Sequence, residues 1–355
     1  MSKKKVIFVG WVNRGKKPVC GETTKNQFII AELEKYCDLT ILDFYEKQKH
    51  PWVYFQALWA FISKPNSVII FSTTATNVYS ILRLFKKLNI KREIIHWVIG
   101  GSFGQWLLTG KLNPDVFKEL KYNLVQCHGM IKELNDAGVY NAKFVSNFKP
   151  IKYFPDLTIE RKKGYLKGKY DNIRFVFVSR IMRDKGCDYI VKAVQELNDE
   201  GFAKNFSVDF YGKMSKDYEQ FFMESIKVID NVKYHGLLDL KSPEGYDTLA
   251  SYHAMLFPTY WRGEGFAGIF IDAFVSGVPV LASDWAHNTE CIIDGELGII
   301  YPTHDYKALK QSMLNCINGV YDLAKMSENC RKEAPKYNAE NALGKDYLRS
   351  IGLVD

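Results

Sequence analysis

Short β-rich apolar runs alternate with longer stretches of helical periodicity along most of this chain, and that alternation limits the fold more than any other feature. In the first half the strand candidates are Val6–Val9, Leu39–Leu42, Val68–Phe71, Ile94–Ile99 and Leu124–Cys127. Helical spacing lies between them, with Phe28, Ile29, Ala31 and Leu33 in one segment and Val78, Ile81, Leu82, Leu84 and Phe85 in another. Strands separated by helices are too far apart in sequence for hairpins, so the pattern predicts parallel strands joined by crossover helices. A basic, weakly periodic stretch, Lys149 to Lys169, reads as a linker, and then the pattern restarts. Arg174–Ser179, Ser207–Tyr211, Val232–Tyr234, Ala254–Phe257 and Val278–Ala282 are the second set of strands. A length of 355 residues suits two such domains. The expected fold class is therefore α/β, with two Rossmann-like domains facing a cleft. Ligands in such sheets sit beyond the carboxyl ends of the strands.

Charge separates the two halves. Residues 1–160 carry a net +10 and residues 161–355 a net −2, which favours an anionic partner for the first half, or simply a solvated basic surface. No helix pattern clusters Arg and Lys as a DNA reader would, so nucleic acid is not expected. The seven cysteines form no Cys-x-x-Cys pair and are odd in number, which points to reduced thiols and a cytoplasmic setting rather than a disulfide framework or zinc site. The apolar run after Lys3-Lys4-Lys5 is too short for a signal peptide, and no run reaches the length of a membrane span. Trp52 to Ile62 is nearly all apolar and lies between Pro51 and Pro65. It reads either as a buried helix or as an aromatic face at a lipid interface, and nearby Lys86, Lys87, Lys91 and Arg92 suit anionic lipid.

Two stretches carry chemistry. Ser179-Arg180-Ile181-Met182-Arg183-Asp184-Lys185-Gly186 runs from a strand into a helix. Arg180 offers a planar fork and Lys185 a point charge at the end of a parallel strand, a setting suited to a diphosphate. Glu264-Gly265-Phe266-Ala267-Gly268 follows a second strand and opens an apolar helix, so its backbone amides suit an anion or a hydroxyl-rich ligand. Asp272 lies about 12 Å further along the helix axis, too far to share a proton with Glu264.

With Phe210-Tyr211-Gly212, Tyr234-His235-Gly236-Leu237-Leu238 and Gly277-Val278-Pro279-Val280, these stretches resemble the retaining glycosyltransferases of the GT-B fold, family 4 type (glycosyl transferases group 1), including those of bacterial surface polysaccharides. The resemblance is strongest over about 172–301. It implies a metal-independent retaining glycosyltransferase that uses a UDP- or GDP-sugar, needs no cofactor beyond that donor, and acts on a glycan or lipid-linked acceptor. Arg180, Lys185 and Glu264 would be catalytic. Gly212, Leu238, Gly265, Phe266, Ala267, Gly268 and Asp272 would complete the donor site, with Asp272 on the ribose. Gly21, Glu22 and Thr23 would lie on the acceptor side. The implied domains are 1–155 with a C-terminal helix over about 338–355 packing back on it, and 170–337 for the nucleotide sugar, the two closing on each other. The protein would work in the cytoplasm, with peripheral contact at the inner face of an anionic membrane.

The chain departs from the family pattern in three places. Asp272 stands where the second acid is usually Glu, Ala267 where a Gly is usual, and the N-terminal loop has little glycine besides Gly15 and Gly21. His96 falls inside a strand pattern and reads as a core histidine; His128 falls at a strand end. A non-catalytic transferase-like partner subunit and a sugar-nucleotide epimerase of similar fold are the alternative readings.

Overall fold

The computed structural model describes residues 3–166 and 172–354. It divides into two compact units, one of Met1–Pro150 with Tyr337–Asp355 and the other of Ile151–Lys336. The expected domain start at residue 170 and the last part of the expected linker lie outside the described residues. The earlier part of that linker is not extended, since Asp156–Leu166 forms a helix.

The first unit holds six parallel strands: β1 (Lys4–Gly10), β2 (Cys37–Asp43), β3 (Val68–Thr73), β4 (Ile94–Val98), β5 (Tyr122–Val125) and β6 (Ala142–Phe144). Their order is β2-β1-β3-β4-β5-β6. Central strands such as Val68–Thr73 are buried along their whole length, because helices cover both faces of a parallel sheet and leave no polar side to alternate with. The C-terminal segment folds onto this unit: Leu348, Ile351 and Leu353 are buried in one core with Val6, Phe8 and Trp97. It forms two short helices, Ala339–Ala342 and Lys345–Ser350, rather than the single expected one, and the break falls at Gly344.

The second unit holds β7 (Ile173–Val178), β8 (Phe206–Tyr211), β9 (Val232–Tyr234), β10 (Ala254–Phe257), β11 (Val280–Ser283) and β12 (Gly298–Tyr301) in the order β12-β11-β10-β7-β8-β9, again all parallel. Helix Cys187–Asp199 buries Ile190, Val191, Ala193, Val194 and Leu197 against Phe175, Phe177, Val208 and Phe210, the stripe its periodicity predicts. The strand order reverses between β7 and β10. The chain leaves β7 toward β8 on one side and returns to β10 on the other, so the two loops at their carboxyl ends part. In the first unit the corresponding place is between β1 and β3.

Two glycines are required where the second unit's loops approach. Gly186 has φ +74°, and a Cβ there would meet the Pro258 carbonyl at 2.2 Å. Gly212 has φ +147°, and a Cβ would lie 1.6 Å from the Ser179 carbonyl oxygen. Gly201 has φ +93° but no atom near its missing Cβ. Gly201→Ala should therefore cost about 1 kcal/mol of backbone strain. Gly212→Ala adds a backbone collision and should cost more than about 4 kcal/mol, the range reserved for severe lesions. Equilibrium denaturation of both variants measures the difference.

Candidate active site

The strands that flank the reversal in the second unit each deliver one of the two sequence motifs. β7 leads into Arg180–Lys185 and β10 into Thr259–Gly268. The loops are tied together by the Tyr260 N–H, which donates to the Asp184 carbonyl at 2.9 Å. Lys185 and Glu264, both nearly buried, form an ion pair between Nζ and Oε2. The same carboxylate oxygen accepts from the Thr259 hydroxyl at 3.1 Å. Thr259 is itself fully buried, and its oxygen accepts from the Trp261 N–H at 3.2 Å. Arg180 is exposed and stands over the Trp261 ring, 5.0 Å from its centroid.

The other positions expected in the donor site divide into two groups. Gly212 joins the loops after β8 and β9, donating its N–H to the Gly236 carbonyl at 2.7 Å and accepting the Tyr234 hydroxyl at 2.8 Å. Leu238, half-buried, follows in the same turn beside an exposed Leu237. Gly265, Phe266 and Gly268 are half-buried and Ala267 is buried, immediately before helix Ile269–Val275. Asp272 is 1% exposed, and its Oδ1 accepts the Tyr246 hydroxyl at 2.8 Å. Burial first and the Asp272 charge second hold that tyrosine well above its usual range. A ligand hydroxyl reaching Asp272 would share it with Tyr246.

Gly21, Glu22 and Thr23, expected on the acceptor side, lie at the reversal of the first unit, where helix Gly21–Tyr36 begins. Thr23 is fully buried and occupied with its own loop: its hydroxyl accepts from the N–H groups of Val19 and Cys20 and donates to the Cys20 carbonyl. Gly21 is exposed and Glu22 half-buried. Glu22 Oε1 is buried with no hydrogen-bond partner among the described residues, and burial pushes its carboxyl up to about 6 against the hydrogen bond from Thr73. Nearby on the helix, Lys25 is 8% exposed, donates to Asn147 Oδ1 at 2.8 Å and sits 3.6 Å over the Phe148 ring. Burial and then the neighbouring Lys149 charge hold Lys25 well below the ordinary lysine range.

His96 is fully buried on β4, with Nε2 3.2 Å from the Thr73 carbonyl oxygen and Nδ1 3.4 Å from Asn123 Oδ1; burial lowers it to about 4. It is a core histidine. His128 is exposed and stacked on Phe144, ring centroids 4.6 Å apart. Among the supporting residues, Thr259 and Tyr246 of the second unit and Lys25 of the first carry no motif of their own, whereas Trp261 opens the glycine-rich stretch that leads to Glu264. Thr259 has one usable signal, its place just past a strand that ends at Phe257.

Comparison with known proteins agrees with this geometry. Residues 172–319 match the family model for glycosyl transferases group 1. The capsular polysaccharide biosynthesis glycosyltransferase CapM of Staphylococcus aureus is 23% identical over 157 residues, 44% of this chain and 40% of CapM. An uncharacterized glycosyltransferase of Methanocaldococcus jannaschii is 25% identical over 172 residues, 47% of this chain and 45% of its own. The chain thus matches less than half the length of these relatives. Among solved structures, the sucrose-phosphate synthase of Thermosynechococcus elongatus superposes with a TM-score of 0.76 at 13% identity, covering 98% of both chains. Anabaena HepE in complex with UDP gives 0.70 at 13% identity over 98% of this chain and 99% of HepE. The fold is that of the GT-B glycosyltransferases, and the match to the group 1 model lies within the second unit.

Two measurements follow from the buried charges. Lys185→Met strands the Glu264 carboxylate and should cost about 3–5 kcal/mol of stability, whereas Lys185→Met with Glu264→Leu should recover most of it. A coupling below about 0.5 kcal/mol in that double-mutant cycle would show that the pair is not formed in solution. Glu22 has a folded-state pKa above its ordinary value of 4.5. The native state then holds that proton more tightly than the unfolded chain, and stability falls as pH rises from about 4.5 to 6. Glu22→Gln removes this loss, so its unfolding free energy relative to the wild type should grow by about 2 kcal/mol between pH 4 and pH 7.

Proposed function

We propose that this protein is a metal-independent retaining glycosyltransferase. It moves a sugar from a UDP- or GDP-linked donor to a glycan or lipid-linked acceptor in cell-surface polysaccharide or glycoconjugate synthesis, in the cytoplasm and in peripheral contact with the inner face of the membrane. The observation that carries this reading is the buried Lys185–Glu264 pair at the reversal of the second sheet, with Arg180 held over Trp261 on the adjoining loop. A nearly dry lysine with one carboxylate partner can exchange that partner for a phosphate without losing its compensation. The exchange leaves Glu264, still anchored by Thr259, to accept hydrogen bonds from the donor sugar. HepE, similar in fold, has been solved with UDP and glucose.

In the reaction the bond between the anomeric carbon and the phosphate oxygen breaks while the acceptor oxygen bonds to that carbon on the same face. The acceptor's proton passes to the departing phosphate. Negative charge grows on the leaving diphosphate, and Arg180 and Lys185 are cations already in place for it, supplying the neutralisation a divalent ion would otherwise bring. Gly212 and the turn through Leu238 would line the base, the amides of Gly265 to Gly268 would hold the sugar and phosphate, and Asp272 would take the ribose together with Tyr246. In the first unit, Gly21 and the unpartnered oxygen of Glu22 would meet the acceptor, with Thr23 fixing their loop.

A nucleotide-sugar panel screened by thermal shift should give a rise in Tm for one donor and its nucleoside diphosphate. Arg180→Ala should then lower kcat by about 100-fold or more while changing donor affinity by less than about 10-fold. Transfer should persist in excess chelator, with the product keeping the donor's anomeric configuration by NMR. No stabilisation by any nucleoside diphosphate, together with no effect of Arg180→Ala, would overturn the reading.

A further inference from the structure

The segment between Pro51 and Pro65 forms helix Trp52–Ser63, and it does not bury its apolar side. Val53, Ala57 and Ala60 are its buried side chains, all small, and Tyr54 and Phe61 at the flanks pack edge-on against Phe44 and Phe85. Trp52 and Trp59 are each 72% exposed, with Phe55 at 67%, Ile62 at 66% and Leu58 at 58%. At 100° per residue these five fall within one continuous third of the helix surface, opposite the inward face. No side chain of the helix is charged. Its 12 residues would extend about 18 Å, enough to lie along a surface and too little to cross a bilayer.

The surroundings indicate what covers this face. Phe61 of the helix makes an edge contact with Phe85, ring centroids 5.8 Å apart, which places helix Ala75–Lys87 and its C-terminal turn alongside. That turn adds exposed Leu84, Leu88 and Ile90. Residues 83–92 include Arg83, Lys86, Lys87, Lys91 and Arg92 and no carboxylate. Arg92 donates to the carbonyls of Phe61, Lys64 and Ser67, binding the basic turn to the end of the apolar helix. Lys86 is paired with Glu119, whereas Lys87 and Lys91 are exposed. An apolar helix face with tryptophans, bordered by a turn with five cations, the exposed Lys87 and Lys91 among them, has the chemistry of the boundary between acyl chains and anionic headgroups. A protein partner would be met instead by a polar rim able to pair hydrogen bonds and charges of both signs.

We infer that helix Trp52–Ser63 docks the protein on an anionic phospholipid bilayer, its Trp52/Phe55/Trp59/Ile62 face entering the interface and Lys87 and Lys91 meeting the headgroups. This rests on the membrane contact proposed above and names the surface that makes it. The test is flotation of the full-length chain with vesicles of phosphatidylcholine alone or with about one third phosphatidylglycerol. The wild type should float with the anionic vesicles, and less so as salt rises from about 0.05 to 0.5 M. Trp52→Ser/Phe55→Ser/Trp59→Ser/Ile62→Ser should weaken binding at least about 10-fold. Lys87→Glu/Lys91→Glu should abolish the preference for anionic lipid. Both variants should keep the wild-type Tm shift with nucleoside diphosphate, which shows that they fold. Equal flotation of wild type and the four-serine variant would overturn this assignment while leaving membrane contact standing. Failure of the wild type to float would overturn both. A wild-type dimer by light scattering that the serines convert to monomer, without flotation of either, would assign the face to a second copy of the chain.

Discussion

A parallel strand cannot be joined to its neighbour by a tight turn, and everything of interest in this protein depends on that constraint. Each return must cross the sheet through a helix, so each strand ends in a loop at the same edge. Where strand order reverses, two of those loops diverge and leave room between them. In the second unit the diverging loops follow β7 and β10, and they bring Lys185 to Glu264 and Arg180 to Trp261. In the first unit they follow β1 and β3, and the side chains gathered there are Glu22, Lys25, Asn26, Ser72 and Thr73.

Both places keep charge out of water, but they compensate it differently. Lys185 and Glu264 compensate each other, which makes the pair stable as it stands and able to change partners. Glu22 and Lys25 have no such mutual pairing. Burial drives their pKa values in opposite directions, the carboxyl up and the amine down, each toward its neutral form. The first is suited to a highly charged ligand and the second to hydroxyl groups, in keeping with the donor and acceptor roles proposed for them.

The legible part of the fold follows from burial on both faces. The central strands are readable because burial makes them nearly uninterrupted apolar runs, as in Val68–Phe71 and Ala254–Phe257, and ten of the twelve strands among the described residues can be read from the sequence. The two that escape, β6 and β12, are short edge strands, Ala-Lys-Phe and Gly-Ile-Ile-Tyr, with too few residues to establish a period. The basic, linker-like stretch from Lys149 conceals helix Asp156–Leu166, anchored by buried Lys162, whose ammonium donates to the Tyr252 and Gly277 carbonyls. No local pattern reveals it, because those acceptors lie far along the chain. For Trp52–Ile62, composition allows a core helix, the reading it favours, and an interfacial one, since both are apolar. Exposure separates them, and it follows from the small inward residues Val53, Ala57 and Ala60.

The sequence by itself determined the α/β class, the two successive strand–helix arrays and the two loops that carry Arg180, Lys185 and Glu264. These are local matters of periodicity and of residue type beside a strand end. Only the tertiary structure decided that Lys185 and Glu264, 79 residues apart, form one buried pair, that Asp272 is shared with Tyr246, and that Thr23 is spent on its own loop. It also decided that a run of tryptophan, phenylalanine and leucine faces outward. Which charge meets which, and which apolar side chain meets nothing, depends on packing between segments distant in the chain, and periodicity does not record that.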